Sequence, residues 1–431
     1  MRTLEAFLND QRIGTLSEGD DLWRFEYNAN WAGASDSFDL SPALTRSQPL
    51  HVDGGSDRPV QWYFDNLLPE EEQRVTLAKE SNINGEDAFG LLQYLGAESA
   101  GSLVLLPPGS ARPPRGLKPL SDSELSMRIQ NLSRASLSSG APKRMSVAGA
   151  QNKLLVVYRD GALFEPTGSE PSTHILKPDH THPDYPSSVI NEYAAMRLAG
   201  AMKLSVPRVH RRYVPEPVYI IQRFDRYTDE ARVTRRRHII DACQLLNKSR
   251  AYKYRGATLQ SLEAIIFACR NRASTRLTVY QWLLFNVLIA NNDNHLKNLS
   301  FMGGREGIEL SPAYDLVSTG TYHTRAMAGD RADWPILPQA IILPNVRTLK
   351  EMNRPSIIEA GEVLGLTKAI CERELNRMMA ALPGALEDLI QQISDENTRL
   401  PPAAKPFLAG EMRLLATMKS IVVPETLSRL R

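Results

Sequence analysis

Cysteine is scarce in this chain of 431 residues: Cys243, Cys269 and Cys371 are far apart, odd in number and lack CxxC spacing. That argues against a disulfide framework or a cysteine-built zinc site and fits thiols kept reduced. Excess charge is lacking too. Lys and Arg total 51 against 49 Asp and Glu, a formal net charge of +2, so no overall field draws the chain to nucleic acid or to an anionic membrane. Long apolar runs are absent. The most apolar stretch, 279–290, is interrupted by Gln281 and Asn286 and is too short to span a bilayer. The N-terminus, MRTLEAFLNDQRIG, has neither the cationic start nor the apolar run of a signal peptide. The expectation is a cytoplasmic protein with no membrane partner. Internal repeats and the Walker A pattern G-x-x-x-x-G-K-[ST] are missing as well.

What is present is an ordinary globular balance, 42% hydrophobic and 23% charged, over more residues than one core spans. The texture divides the chain into an N-terminal subdomain (1–106), a linker (107–140), a β-rich lobe (141–238) and a helical lobe (239–431). In the first region, LEAFL followed by Asn9-Asp10 predicts a hairpin, and VQWYFDNLLPEEEQRVTLAKE has helical spacing. Pro107, Pro108, Pro113 and Pro114 then remove donors and fix φ, which predicts a break. In the second region, residues 153–158, the Asp160-Gly161 turn and residues 162–164 predict a hairpin, followed by a strand at 173–177 and a helix at 188–201. Residues 206–214 and 218–224 predict a further β pair. In the third region, LTVYQWLLFNVLIA is a strongly apolar helix, and residues 382–423 read as two or three amphipathic helices. A β-rich lobe before an α-rich one suggests an α+β, bilobal, kinase-like body.

The segment ANNDNHLKNLS (290–300) directly follows the apolar helix and contains Asp293-x-x-x-x-Asn298; Asp315 follows in SPAYDLVS. Phosphoryl transfer asks the protein mainly to position a nucleophile and to neutralise charge. Asp293 suits the acceptance of a substrate hydroxyl proton. Asn298 and Asp315 offer the hard oxygens that Mg²⁺ takes. A lone D-x-x-x-x-N is common in turns, but here it abuts a buried helix and is followed by Tyr314-Asp315. Upstream, RMSVAGAQNK (144–153) is a small-residue loop whose backbone N–H groups could approach phosphate oxygens, or a plain surface turn. Lys177 lies in an apolar strand, either at an exposed edge or buried against a phosphate, and Glu192 on the next helix could pair with it. Phe224 in IIQRFDR is either an adenine contact or core. Arg235-Arg236-Arg237 reads as a solvated charged face in preference to a phosphate site.

Several motifs in order resemble the HipA family of bacterial serine/threonine kinases, toxins of type II toxin–antitoxin systems. They are FDNLLPE (64–70), SVAGAQNK (146–153), STHILKP (172–178), NEY (191–193), QRFDR (222–226), DACQLL (241–246), NDNHLKN (292–298) and SPAYDLVS (311–318). The resemblance covers nearly the whole chain. It implies a bilobal fold related to phosphatidylinositol kinases, with a β-rich N-lobe, an extra N-terminal subdomain and an all-α C-lobe, using ATP and Mg²⁺. It implies Asp293 as catalytic base, Asn298 and Asp315 as metal ligands, and Lys177 on the ATP phosphates. It implies a nucleotide-covering loop made of Val147, Ala148, Gly149, Ala150, Gln151, Asn152 and Lys153. A hinge of Gln222, Arg223 and Phe224 would receive adenine, and His295, Lys297 and Tyr314 would line the site. Ser146 matches the family's autophosphorylated serine. Implied partners are a helix-turn-helix antitoxin, operator DNA through it, and an aminoacyl-tRNA synthetase as substrate. Residues 321–344 depart from the family pattern, where a protein substrate would be gripped. Two rival readings are a small-molecule or lipid kinase of the same fold, and a non-catalytic transcriptional co-regulator that binds the antitoxin.

Overall fold

A computed structural model describes residues 1–99, 101–132, 134–143, 145 and 151–431. The chain folds as two compact units, each discontinuous in sequence. One is Met1–Lys177, Ile221–Tyr252 and Ser300–Ser311; the other is Pro178–Ile220, Lys253–Leu299 and Pro312–Arg431.

The first unit opens with an antiparallel sheet ordered Leu50–Val52, Leu22–Tyr27, Gln11–Gly19, Arg2–Leu8, Leu103–Leu106. Asn9 takes the left-handed φ of 51° that the expected hairpin turn needs. Leu4, Ala6 and Leu8 alternate inward, as one buried sheet face requires. Helices Pro59–Asp65, Glu71–Ser81 and Ala88–Leu95 add Phe64 and Phe89, which meet Phe25 at 5.6 Å and Trp23 at 5.3 Å between ring centroids. A second antiparallel set runs His174–Pro178, Leu154–Arg159, Ala162–Thr167, Gly116–Pro119, with Asp160 and Gly161 both at positive φ in the predicted turn. A three-stranded sheet of Ile239–Asp241, Ser300–Gly304 and Gly307–Leu310 completes the unit, and Asp241 with Gln244 forms a capping box on Ala242–Leu245.

Two expectations are corrected here. The stretch 107–140, expected as a linker, holds the strand Gly116–Pro119 and the helix Asp122–Gln130, which is capped by Ser121. The prolines do end regular structure up to 115, but an edge strand tolerates Pro119 because one side of it needs no ladder partner. The region after 239, expected to be all-α, carries five strands, including Pro338–Leu343 and Val346–Thr348. These strands are only three to six residues long, too short to show alternation beside strong helical periodicity.

The second unit is mostly helical: Ser188–Ala201, Leu259–Ala268, Arg272–Leu288, Arg354–Val363, Lys368–Asn397, Lys405–Thr417 and Val423–Arg429. Ser188–Ala201 is buried almost all round, which explains its apolar surface on every side. Strands Val209–Tyr213 and Pro217–Gln222 follow around the Pro215-Glu216-Pro217 turn. Among the described residues, no helix is long and apolar enough to cross a membrane. All three cysteines are buried, and none is in a disulfide.

Candidate active site

The Asp293 segment follows from how the apolar helix stops. Arg272–Leu288 is capped by Asn271 and buries Val279, Trp282, Leu283 and Phe285. Just past its end Ala290 turns to φ 53°, a left-handed conformation costing a non-glycine residue about 1–2 kcal/mol. Hydrogen bonds hold that turn. The Ala290 carbonyl accepts from Gly320 N–H at 2.8 Å and from Thr319 Oγ1 at 3.1 Å. Asn291 donates its N–H to the Asn286 carbonyl (2.8 Å) and its Nδ2 to Asn286 Oδ1 (2.7 Å). Asn291 Oδ1 in turn accepts from Asp293 N–H at 3.1 Å. The Asp293 carbonyl then accepts from Asn298 Nδ2 (2.7 Å) and from His295 N–H (3.0 Å). The Asn-rich composition is thus a chain of side chain to backbone bonds that fixes the loop.

With Nδ2 of Asn298 donating to this carbonyl, its Oδ1 is the end free to act as a hard ligand. Asp315 sits half-buried at φ 57°, one of the few side-chain-bearing positions held left-handed, as backbone near functional groups often is. Tyr314 donates its hydroxyl to the Lys297 carbonyl at 2.7 Å, tying the two segments together. Water reaches Asp293 from one side, yet the surrounding protein strips part of its hydration. That loss raises the carboxyl pKa, His295, the Tyr254 hydroxyl and Lys253 pull it back, and the charge of Asp315 pushes it up. The two carboxylates therefore share one electrostatic environment. His295, Lys297 and Asn298 are buried beside them.

Glu192 is buried on the Ser188–Ala201 helix, and the buried hydroxyl of Tyr219 feels both Glu192 and Asp315. Burial first, then those two charges, raises its pKa well above the ordinary value. Sequence reasoning quoted Asn191 only as part of a motif. Its fully buried amide in fact brackets Ser318 like a peptide group: Oδ1 accepts from Ser318 N–H at 2.9 Å and Nδ2 donates to the Ser318 carbonyl at 3.0 Å. An Asn on a helix whose sides are mostly apolar was the signal, since a buried amide needs partners. Tyr254, also missed, donates to Asp293 Oδ1 at 2.6 Å.

The remaining expected residues lie in the first unit. Lys177 is buried, which excludes the exposed-edge position. Gln151, Asn152 and Lys153 are half-buried, with Asn152 accepting from Gln73 at 2.7 Å. Ser146, Val147, Ala148, Gly149 and Ala150 lie outside the described residues. Gln222 is exposed and Phe224 half-buried. Arg223, expected in the hinge that receives adenine, buries its side chain on Asp225 (3.0 and 2.8 Å) and Ser172 (3.1 Å). It belongs to an ion cluster around Glu98, which is wholly buried and bonded by Lys143 (2.8 Å), Arg226 (3.2 Å) and Arg236. The expectation of a solvated Arg235–Arg237 face is therefore corrected. A strand turns alternate side chains to opposite faces, so Arg236 points inward while Arg235 meets Asp229 at 2.8 Å and Arg237 lies over the Tyr227 ring.

The segment 321–344 is pinned within the second unit. His323 bonds Asp333 at 2.7 Å, and Trp334 donates Nε1 to Glu425 at 2.5 Å.

By its relatives the chain is a kinase. More narrowly, it belongs to the HipA family: a model of the HipA-like C-terminal domain matches residues 145–385 and one of the HipA N-terminal domain matches residues 4–106. The serine/threonine-protein kinase toxin HipA of Shewanella oneidensis is 33% identical over 344 residues, 74% of this chain and 76% of that protein. Y4mE of Sinorhizobium fredii is 33% identical over 336 residues, 75% of this chain and 78% of its own length. A chain in the solved complex of Shewanella oneidensis MR-1 HipA, HipB and operator DNA matches with a TM-score of 0.79 at 28% identity, covering 99% of both chains. The mixed α/β architecture is therefore that of HipA.

Proposed function

We propose that this chain is an ATP- and Mg²⁺-dependent serine/threonine protein kinase of bilobal build, acting as the toxin of a toxin–antitoxin module. The observation that carries this reading is the joint placement of Asp293, Asn298 and Asp315: one loop bonded to itself through Asn298, and two carboxylates in one electrostatic environment. The donor set suits Mg²⁺, which takes one or two protein oxygens and fills its shell with phosphates and water. Asn298 Oδ1 and the Asp315 carboxylate are its ligands in this reading, and Mg²⁺ bound there would neutralise charge on the nucleotide phosphates.

Asp293 accepts the proton of the acceptor hydroxyl as the oxygen bonds to the γ-phosphorus and the bond to ADP breaks. Its raised pKa brings it nearer to neutrality, which suits a base that must later release that proton. Lys177 and the 147–153 loop are assigned to the phosphates, the Gln222–Phe224 backbone to adenine, and Ser146 to autophosphorylation. The likeness to a chain of the HipA, HipB and operator DNA complex supports a helix-turn-helix antitoxin partner. An aminoacyl-tRNA synthetase is the proposed substrate.

The test is labelling with γ-³²P ATP of cell proteins by the full chain and by Asp293→Asn. The native chain should label protein and its own Ser146. The variant should lose transfer yet keep its ATP-induced rise in melting temperature, since a ligand at 100 times Kd stabilises by about 2.7 kcal/mol. Undiminished labelling by Asp293→Asn would refute the role of Asp293. Label appearing only in small molecules or lipid would refute a protein substrate.

A further inference from the structure

We infer that Tyr254 is a positioning residue for the catalytic carboxylate: its hydroxyl holds Asp293 Oδ1 so that Oδ2 is presented to the acceptor. This rests on the kinase reading above. An Asp carboxylate turns about a broad two-fold torsion, so a base that must meet an incoming hydroxyl needs something to stop its rotation. Loop hydrogen bonds fix only the backbone of Asp293, through its N–H and its carbonyl. Its Oδ1 is engaged by the Tyr254 hydroxyl at 2.6 Å, the short distance of a charge-assisted bond.

Core packing does not explain where this tyrosine stands, because it is 47% exposed. It is held instead from the loop side. The ring meets His295 edge-on, with centroids 4.8 Å apart and planes at 81°. The Lys253 ammonium lies 5.2 Å from the ring centroid on its face. The backbone is anchored at both ends: the Lys253 carbonyl accepts from Leu296 N–H at 3.1 Å, and the Tyr254 carbonyl from Ala257 N–H at 2.9 Å. The loop that carries the base therefore also packs against the residue that aims it. Tyr254 and Asp293 are 39 residues apart in sequence.

The experiment compares the full chain with Tyr254→Phe, using Mg·ATP and myelin basic protein as acceptor, and reads kcat, KM for ATP and melting temperature. A bond to a charged group converts to about tenfold or more in rate when lost. The expected result is a kcat lowered about tenfold, a KM for ATP within about twofold of native, and an unchanged melting temperature. A drop in melting temperature accompanied by a matching rise in KM would mean a structural role and overturn the inference. An unchanged kcat would overturn it too. A raised kcat would mean that the hydroxyl competes with the acceptor, which also overturns it. An active native chain with a fully active variant sinks only this inference; a native chain that transfers no phosphate sinks the kinase reading and this inference with it.

Discussion

Glu98→Gln tests the deepest electrostatic commitment in the molecule. Glu98 has no exposed surface, and its oxygens accept from Lys143, Arg236, Arg226 and the Ser172 hydroxyl. Four cations (Lys143, Arg223, Arg226, Arg236) surround two carboxylates, Glu98 and Asp225, so the cluster carries two excess positive charges. The titration of its members follows from that imbalance. Burial opposes ionisation of Glu98, but Arg236, Lys143, Arg226 and Arg223 more than offset it and hold its carboxyl well below the usual range. Against burial, Asp225 holds the Arg223 pKa up, but Lys143 and Arg226 are less well supported. Burial, aided by neighbouring arginines and only partly countered by Glu98, lowers the Lys143 ammonium and pushes Arg226 down to about 10.

Glutamine keeps the size of Glu98 but turns an NH₂ donor toward cations and leaves three excess positive charges. Removing one partner of a buried ion network costs about 3–5 kcal/mol. In a unit of this size that corresponds to a fall on the order of 10 °C in melting temperature. The assay is thermal unfolding followed by circular dichroism at pH 7. The double variant with Arg236→Met should lose less than the sum of the two singles, because it restores the charge count. A Glu98→Gln melting temperature within about 2 °C of native would refute the argument. The sign with pH also follows. The folded pKa of Glu98 is depressed, so its contribution is present above the ordinary carboxylate range and is lost as pH falls through and below it.

Two further outcomes are expected. A Cβ at Gly320 would come within 2.6 Å of Trp334 Cζ3 and 2.7 Å of Ala290 Cβ, so Gly320→Ala must displace the turn that sets Asp293; phosphate transfer should drop about tenfold or more, and full activity in a labelling assay would contradict this. His238 is buried between the Leu40 carbonyl (2.8 Å) and Ser102 Oγ (3.0 Å), and burial pushes its pKa down to about 4. The unfolded chain then binds more protons between about pH 6.5 and 4, so native stability falls on acidification through that window. His238→Gln should flatten the slope of melting temperature against pH there, and an unchanged slope would count against a neutral buried imidazole.

What could be read in the sequence was what neighbouring residues decide. The Asn9-Asp10 and Asp160-Gly161 turns announce hairpins because those residues tolerate left-handed backbone. The helix Arg272–Leu288 announces itself by its spacing. What could not be read depends on long-range pairing. Nothing local says that Glu98 will meet an arginine at 236. Yet consecutive arginines on a strand must alternate faces, as Arg235 and Arg236 do, and a sheet with one buried face forces one of them inward to find an anion. Tyr254 had no signal of any kind, since its partner lies far along the chain and its ring is neither buried nor part of a charge pattern.

The QRFDR motif shows how a resemblance can carry two kinds of residue at once. Arg223 and Arg226 share the carboxylate of Asp225, and Arg226 reaches on to Glu98. Arg223 N–H donates to the Thr173 carbonyl at 2.9 Å, and Arg226 Nε to the Ser172 carbonyl at 3.1 Å. Three of the five motif residues thus fasten the 222–226 segment onto the strand that leads into Lys177. A motif that reads as nucleotide chemistry is, in its charged side chains, a buried scaffold. Only the exposed Gln222, the half-buried Phe224 and the main chain are left to face a ligand. Adenine recognition by backbone groups requires such a rigid segment, because a hydrogen-bonding edge that moves by an ångström no longer matches the base. On the proposed reading, the cluster around Glu98 bears on function through geometry, by keeping in place the segment assigned to adenine.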